Sequence, residues 1–209
     1  LMKIAVTQRV VKDPVTLEER DCLDQRWLKF MEQLNFILVP VPNGLNNVTS
    51  WASALQIDGV LLSGGNNLHY LGDLPDVSLE RDITENLLLK WAESTSTSVF
   101  GVCRGFQMIN YYLGGSIEPI LGHSGTRHII KTLTGKHEVN SYHNYAVTAS
   151  TLAPSLCPTS WDLTDSIEAY EHKTLPWAAV MWHPERELVM TDYDRALLEN
   201  HFTLAKDYK

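Results

Sequence analysis

The chain has 209 residues, of which 44% are hydrophobic and 20% are charged, as expected for one folded domain with a buried core. Its formal net charge of −8 argues against general nucleic-acid binding. No apolar run approaches the length needed to span a bilayer, and no secretory signal is recognisable. We therefore expect one domain covering residues 1–209, with no membrane or nucleic-acid partner. The cysteines, Cys22, Cys103 and Cys157, are odd in number, which favours a reducing cytoplasm over a disulfide framework.

Apolar runs and amphipathic segments alternate along the first half of the chain. We predict strands at residues 3–7 and in the runs FILVPV, GVLLSGG and SVFGV. Helices are predicted at residues 20–34, from Leu79 to Trp91, after Cys103, and at residues 193–205. Shorter antiparallel strands are predicted after Ser116. This order predicts an α/β fold with a doubly wound, mostly parallel sheet and flanking helices.

Polar residues and glycines follow three of the apolar runs. In doubly wound sheets, sites form beyond the carboxyl ends of the strands. The three ends of interest are residues 63–67, Cys103, and the segment AAVMWHPE near the C-terminus. We therefore expect these three segments to meet at one edge of the sheet.

Cys103 lies in the pattern G-x-C-x-G, between a predicted strand and a predicted helix. This is the cysteine form of the G-x-S-x-G nucleophile elbow, a tight and strained turn that raises its nucleophile above the sheet. Gly101 and Gly105 are expected where a Cβ would clash with neighbouring backbone. The positive end of the following helix favours the thiolate, which is the form that attacks. Cys103 is therefore predicted to be a nucleophile rather than an ordinary buried cysteine.

A cysteine nucleophile needs a proton carrier. The segment MWHPE places His183 and Glu185 two residues apart, with Pro184 expected to keep the link extended. Glu185 can then orient the His183 ring and stabilise its charge, which completes a Cys–His–Glu triad. Developing negative charge on a carbonyl oxygen also needs donors. We predict that the Gly64-Gly65 turn and the amide of Arg104 supply them.

Four motifs in order, GVLLSGG, GVCRGFQMINYYLGG, NSYHNYAV and AVMWHPE, resemble those of class I glutamine amidotransferases. The resemblance is narrower to the γ-glutamyl hydrolase branch, typified by γ-glutamyl-γ-aminobutyrate hydrolase. Arg104 after the cysteine and the pair Arg81-Asp82 are similar to that branch. The resemblance implies a flavodoxin-like fold and a thioester on Cys103, with Gly65 and Arg104 as the amide donors to the oxyanion. It also implies that the γ-glutamyl group is held by Gln107, Tyr142, His143 and Asn144.

The interval between the elbow and NSYHN is shorter than is usual in that branch, and it is basic. No acidic residue occurs from Pro119 to His137. A leaving group with phosphates would suit Arg127, His128 and Lys131. The chain in this respect resembles hydrolases that act on γ-glutamyl-CDP-amidate, a nucleotide phosphoramidate of capsule biosynthesis.

Two other functions remain open from the sequence. The chain could be a glutaminase subunit that supplies ammonia to a separate synthetase, or a non-catalytic regulator that binds a γ-glutamyl metabolite. The expected binding partner is a small γ-glutamyl conjugate. A homo-oligomer is possible, and the sequence leaves the oligomeric state open. No cofactor or metal is expected, because His123 and His128 could be ligands but have no third ligand at a convincing spacing.

Overall fold

A central sheet with helices on both faces organises the chain. The structure is a computed structural model and describes residues 1–72 and 74–204. Its α-helices are α1 (Gln25–Gln33), α2 (Val48–Leu55), α3 (Leu79–Thr95), α4 (Arg104–Tyr112) and α5 (Asp192–Leu204). Its strands are β1 (Met2–Val6), β2 (Arg9–Lys12), β3 (Glu19–Cys22), β4 (Phe36–Pro40), β5 (Gly59–Leu62), β6 (Ser98–Val102), β7 (Glu118–Pro119), β8 (Ser124–Thr132), β9 (Lys136–Tyr142), β10 (Tyr145–Ala146), β11 (Leu156–Trp161), β12 (Ile167–His172) and β13 (Trp177–Val180).

The main sheet has nine strands in the order β4-β1-β5-β6-β13-β12-β11-β8-β9. From β4 to β13 the neighbours are parallel, and from β13 to β9 they are antiparallel. The predicted doubly wound α/β sheet, with antiparallel additions after Ser116, is confirmed. The antiparallel part is nearly as large as the parallel one, because β8, β9, β11 and β12 join the same sheet, whereas β7 and β10 pair separately.

The parallel strands alternate side chains between two cores. Leu61 of β5 faces one core, with Trp27 of α1 and Phe202 of α5. Its neighbours Val60 and Leu62 face the other core, built largely from α2, α3 and α4. Both faces are therefore buried, which is why these strands appear as continuous apolar runs. None of the helices described has both the length and the apolar composition required to cross a bilayer.

The first predicted helix is wrong at its start. We expected it from residue 20, but α1 begins at Gln25, where the side chain of Asp24 accepts a hydrogen bond from the Arg26 amide. Residues 19–22 instead form β3, which pairs with β2 in an exposed hairpin. This polar hairpin carries no apolar periodicity that sequence reasoning could use. Helix α2 was not predicted, and the expected last residue of the final helix, Ala205, lies outside the described residues.

Candidate active site

The three strand ends singled out in the sequence are adjacent. Strands β5, β6 and β13 are parallel neighbours, with Leu62 opposite Gly101 and Val102 opposite Val180. The amide of Cys103 donates to the carbonyl of Val180 at 2.9 Å, which ties the elbow to the strand that leads to His183. The predicted meeting of these segments at one edge of the sheet is confirmed.

Cys103 occupies a strained turn between β6 and α4. Its φ of 52° and ψ of −99° lie outside the conformations that a non-glycine residue adopts readily. A Cβ on Gly105 would collide with the carbonyl oxygen of Leu62, and one on Gly101 would lie 2.7 Å from the carbonyl carbon of Gly105. Helix α4 can therefore pack this closely on the sheet only with glycine at both positions. The side chain of Cys103 is nearly buried, with 7% of its residue surface exposed.

His183 is held by Glu185. Its Nδ1–H donates to Glu185 Oε1 at 2.7 Å, and both side chains are buried. The backbone of His183 is extended, but residues Pro184–Arg186 form a short 3₁₀ helix, so the expected extended link is wrong. The tighter turn still brings the carboxylate to the ring. Burial would lower the pKa of His183, but the Cys103 sulfur and the Glu185 carboxylate outweigh it and raise that pKa to about 9.

Asn140 of β9 fixes the backbone of His183. Its Nδ2 donates to the His183 carbonyl at 2.8 Å, and its Oδ1 accepts from the His183 amide at 2.9 Å. Nδ2 also donates to Glu187 Oε1 at 2.7 Å. Sequence reasoning missed this residue, although it opens the NSYHN motif. A buried amide that pairs with both backbone groups of one residue can be identified only once the antiparallel strands are placed.

Arg81 of α3 binds the turn that follows β5. Its guanidinium donates to the carbonyls of Ser63 at 2.7 Å and Gly64 at 3.1 Å, and also to that of Gly65. In a trans peptide the N–H points opposite to the C=O of the same unit. With the Gly64 carbonyl turned towards Arg81, the Gly65 amide is directed away from Arg81. The predicted oxyanion donor therefore has a defined orientation.

Arg81 and Arg104 belong to one buried ionic network. Arg81 pairs with Glu85, and Arg104 pairs with Glu85 and Asp82. Burial and the charge of Arg104 lower the pKa of Arg81 to about 10, so Arg81 stays charged at neutral pH. Burial opposes ionisation of Glu85, but the two guanidinium groups outweigh it and lower the pKa of Glu85. Arg81 thus holds the turn after β5, and the same ionic network anchors Arg104 at the start of α4.

The residues expected to hold a γ-glutamyl group have different surroundings. Gln107 is buried in α4, and its Nε2 lies 3.9 Å from the Met181 sulfur. The half-exposed ring of Tyr142 lies edge-on to His183, with centroids 5.7 Å apart. The side chain of His143 is buried, and its Nδ1 is 2.8 Å from the Tyr145 carbonyl, whereas Asn144 is exposed. Tyr142 is the residue of this segment whose ring packs against His183.

The three residues expected to meet the leaving group are not gathered in one place. Arg127 is half-exposed and binds Glu187 at 3.0 Å and Glu138 at 3.2 Å. His128 turns towards Glu168 in the interior, and Lys131 lies about 13 Å further along β8 than Arg127. A cavity of about 320 Å³ borders His183, and its basic lining residues are Arg9 and Arg186. Sequence reasoning missed both, because they come from the unpredicted hairpin and from the turn after His183.

Comparisons with known proteins agree with this architecture. The family model "Glutamine amidotransferase class-I" matches residues 25–205. The chain is 32% identical over 208 residues to the gamma-glutamyl-CDP-amidate hydrolase of Campylobacter jejuni subsp. jejuni serotype O:2, covering 99% of this chain and 100% of that protein. It is 31% identical over 184 residues to the carbamoyl phosphate synthase small chain of Staphylococcus haemolyticus, but spans only 46% of that protein.

Solved structures support the same fold. A putative GMP synthase subunit from Thermoplasma acidophilum superposes with a TM-score of 0.74 at 21% identity, covering 99% of this chain and 95% of that one. A glutamine amidotransferase from Thermotoga maritima has a TM-score of 0.64 at 14% identity, covering 99% and 85%. The stretch matched by the family model contains all three strand ends described above. The chain belongs to the class-I glutamine amidotransferase family.

Proposed function

We propose that this chain is a cysteine-dependent γ-glutamyl hydrolase that cleaves the γ-glutamyl–nitrogen bond of γ-glutamyl-CDP-amidate in capsule biosynthesis. The observation that carries the proposal is the strained elbow of Cys103 beside the buried His183–Glu185 pair. The full-length likeness to the Campylobacter jejuni gamma-glutamyl-CDP-amidate hydrolase supports the substrate. The whole chain, residues 1–209, acts as one domain in this proposal.

The reaction begins when the Cys103 sulfur attacks the γ-carbonyl carbon. The carbonyl oxygen takes up the electron pair, and the amides of Gly65 and Arg104 stabilise the resulting oxyanion, each by about 3 kcal/mol. The carbon–nitrogen bond then breaks, and His183 donates a proton to the departing nitrogen. Its pKa of about 9 supports this role, because the ring carries that proton at neutral pH.

A γ-glutamyl thioester on Cys103 and a neutral His183 remain after the first half-reaction. His183 removes a proton from water, the hydroxide oxygen attacks the thioester carbon, and the carbon–sulfur bond breaks. Glutamate leaves, the Cys103 sulfur is free again, and His183 carries the proton taken from water. Glu185 keeps the ring oriented through both halves by accepting from Nδ1.

The thioester mechanism is tested by Cys103→Ala, with the exposed Cys157→Ala as matched control. We expect the first change to lower kcat by at least about 10³-fold without altering the Tm, and the second to leave kcat unchanged. Mass spectrometry of the acid-quenched enzyme should detect glutamyl on Cys103. Substantial turnover by the Cys103→Ala protein would exclude the mechanism.

The leaving group is tested by kcat/KM on γ-glutamyl-CDP-amidate, simple γ-glutamyl amines and glutamine. In this proposal Arg127 and Lys131 remain predicted leaving-group contacts, whereas the side chain of His128 is directed at Glu168 instead. A charge-assisted hydrogen bond to phosphate is worth about 1.5–3 kcal/mol, so Arg127→Gln should raise KM for the CDP-amidate conjugate roughly 10-fold or more and leave glutamine unaffected. Equal effects on both substrates would remove Arg127 from the phosphate site.

The likeness to carbamoyl phosphate synthase small chains supports a second function, a glutaminase component of a larger assembly. In that case glutamine would be by far the best substrate of the panel, and its hydrolysis would increase when the synthetase is added. The chain spans less than half of that relative, whereas it spans all of the hydrolase. The hydrolase is therefore the better supported function.

A further inference from the structure

A buried cluster of histidines and carboxylates lies one strand away from the predicted triad. Its members are His123, before β8, His128 on β8, and Glu168 on β12. One nitrogen from each histidine and one oxygen from Glu168 lie within 4.8 Å of one another. The sequence separates these residues by up to 45 positions, so no ligand spacing within one segment could identify the set.

Several buried polar atoms of the cluster have no hydrogen-bond partner. Among the described residues, these buried atoms include His123 Nδ1, His128 Nε2 and both carboxylate oxygens of Glu168. His128 Nε2 lies 3.4 Å from Glu168 Oε2 but does not align with it as a hydrogen bond. Unsatisfied buried polar atoms are expensive and rare in folded proteins. Four such atoms lie in this one cluster, which is an arrangement suited to binding a ligand.

We propose that His123 Nδ1, His128 Nε2 and Glu168 bind a divalent transition-metal ion of the zinc type. Two imidazoles and one carboxylate form a known zinc ligand set, which leaves the fourth position to water. Two donors that each lie about 2.0–2.1 Å from a tetrahedral ion are about 3.3 Å apart. The pairs here are 3.4 Å apart for His128 Nε2 and Glu168 Oε2 and 4.0 Å apart for His123 Nδ1 and Glu168 Oε1. Small side-chain movements would complete the site.

The surrounding contacts orient the ligands as metal sites require. The other nitrogen of His123, Nε2, lies 3.4 Å from Asp162 Oδ2, so its N–H faces a carboxylate and leaves Nδ1 free to bind metal. Such carboxylate–histidine–metal arrangements fix the tautomer and strengthen the ligand. His143 Nε2 lies 3.6 Å from Glu168 Oε1, with its Nδ1–H directed at the Tyr145 carbonyl. His143 therefore presents a further lone pair to the same carboxylate.

Charge supports a cation at this position. Glu168 has 1% of its side chain exposed and Asp162 has 4%, so two carboxylates are buried in contact with histidine rings. Buried charges are stable only when they are paired or coordinate a metal. Lys and Arg form no ion pair with either carboxylate among the described residues. A dication would neutralise both, and it can enter past His128, whose side chain is 18% exposed.

The proposed ion would stabilise a segment that the predicted site uses. The carbonyl of His123 accepts from the Ser141 hydroxyl and, at 3.3 Å, from the His143 amide. An ion bound to His123 would therefore fix the Ser141 side chain and the His143 backbone, which flank Tyr142, whose ring lies beside His183. Metal binding is independent of which reaction the chain catalyses.

The test measures metal in the full chain with Cys103→Ala, which prevents binding by that thiol. The chelator-treated protein is incubated with Zn²⁺, desalted and analysed by mass spectrometry for metals, and Co²⁺ is titrated in parallel. We expect one Zn²⁺ per chain, the visible absorption of a low-symmetry Co²⁺ site, and a higher Tm with either ion. A Zn²⁺ content far below one per chain, without a change in Tm, would overturn the proposal. Protons rather than a metal ion would then balance the negative charge of the buried carboxylates.

Substitutions in the cluster test which residues bind the ion. Glu168→Gln and the partly exposed His128→Gln should each weaken Co²⁺ binding by at least about 100-fold, and Asp162→Asn by about 10- to 100-fold. The matched control is His69→Gln, an exposed histidine in the short helix His69–Leu71, which should bind as the parent does. Unchanged Co²⁺ affinity in both ligand variants would place the ion elsewhere and refute the assignment.

Discussion

Gly64→Ala tests whether His183 must occupy its observed position. A Cβ on Gly64 would lie 2.5 Å from Cε1 of His183, where ordinary contacts begin at 3.4 Å. The φ of Gly64 is not in the left-handed region, so alanine adds no backbone strain there. The imidazole must therefore move by roughly 1 Å, and a misplacement of that size costs about 10²-fold in rate.

His183 cannot move without losing a contact. Its Nδ1 is bonded to Glu185 and its backbone is held on both sides by Asn140. We expect kcat/KM for a γ-glutamyl conjugate to fall about 100-fold, equivalent to about 2.7 kcal/mol in the activation free energy. Alkylation of Cys103 by a glutamine-like analogue should slow in parallel. The Tm should change little, since the added methyl displaces a side chain and no backbone.

The control is Gly44→Ala. Gly44 has a φ of +79° and no atom within 4 Å of its added Cβ, so alanine there strains the backbone but touches nothing. We expect Gly44→Ala to lower the Tm and leave kcat/KM unchanged. Wild-type kcat/KM in Gly64→Ala would refute the argument that the position of this ring limits the rate.

Three further predictions follow from the same contacts. Because Glu185 helps to raise the pKa of His183 to about 9, the imidazolium is lost only as pH rises through that value. Glu185→Gln should therefore move the basic limb of the kcat/KM profile to lower pH. A basic limb at the same pH as in the parent would contradict this role of Glu185. Arg81→Met should cost about 3–5 kcal/mol in the free energy of unfolding by urea, because the buried Glu85 loses a partner, whereas Arg26→Met at an exposed pair should cost about 0–1 kcal/mol. Gly105→Ala should lower the unfolding free energy by about 1–3 kcal/mol through collision with the Leu62 carbonyl; if its stability matched that of the parent, the close approach of α4 would not be required.

The sequence alone determined the parallel half of the fold and the centre of the site. The strands of the parallel sheet are continuous apolar runs because both faces are buried, and glycines and polar residues mark their carboxyl ends. Because parallel strands of one sheet end at the same edge, these marked strand ends sufficed to predict that Cys103 and His183 meet, although only the structure shows that β6 and β13 are neighbours. Gly101 and Gly105 identified the elbow because only glycine fits there.

Only the tertiary structure decided the surroundings of these residues. Arg81 could be linked to the Gly64 carbonyl, and Asn140 to the backbone of His183, only after α3 and β9 were placed against the parallel strands. The antiparallel half mixes polar and apolar residues, so its pairing has no strong local signal. For the same reason the contact of His128 with Glu168 could not be predicted. His128 was expected at the leaving group, but it turns inwards to a residue 40 positions away that the order of the sheet brings close.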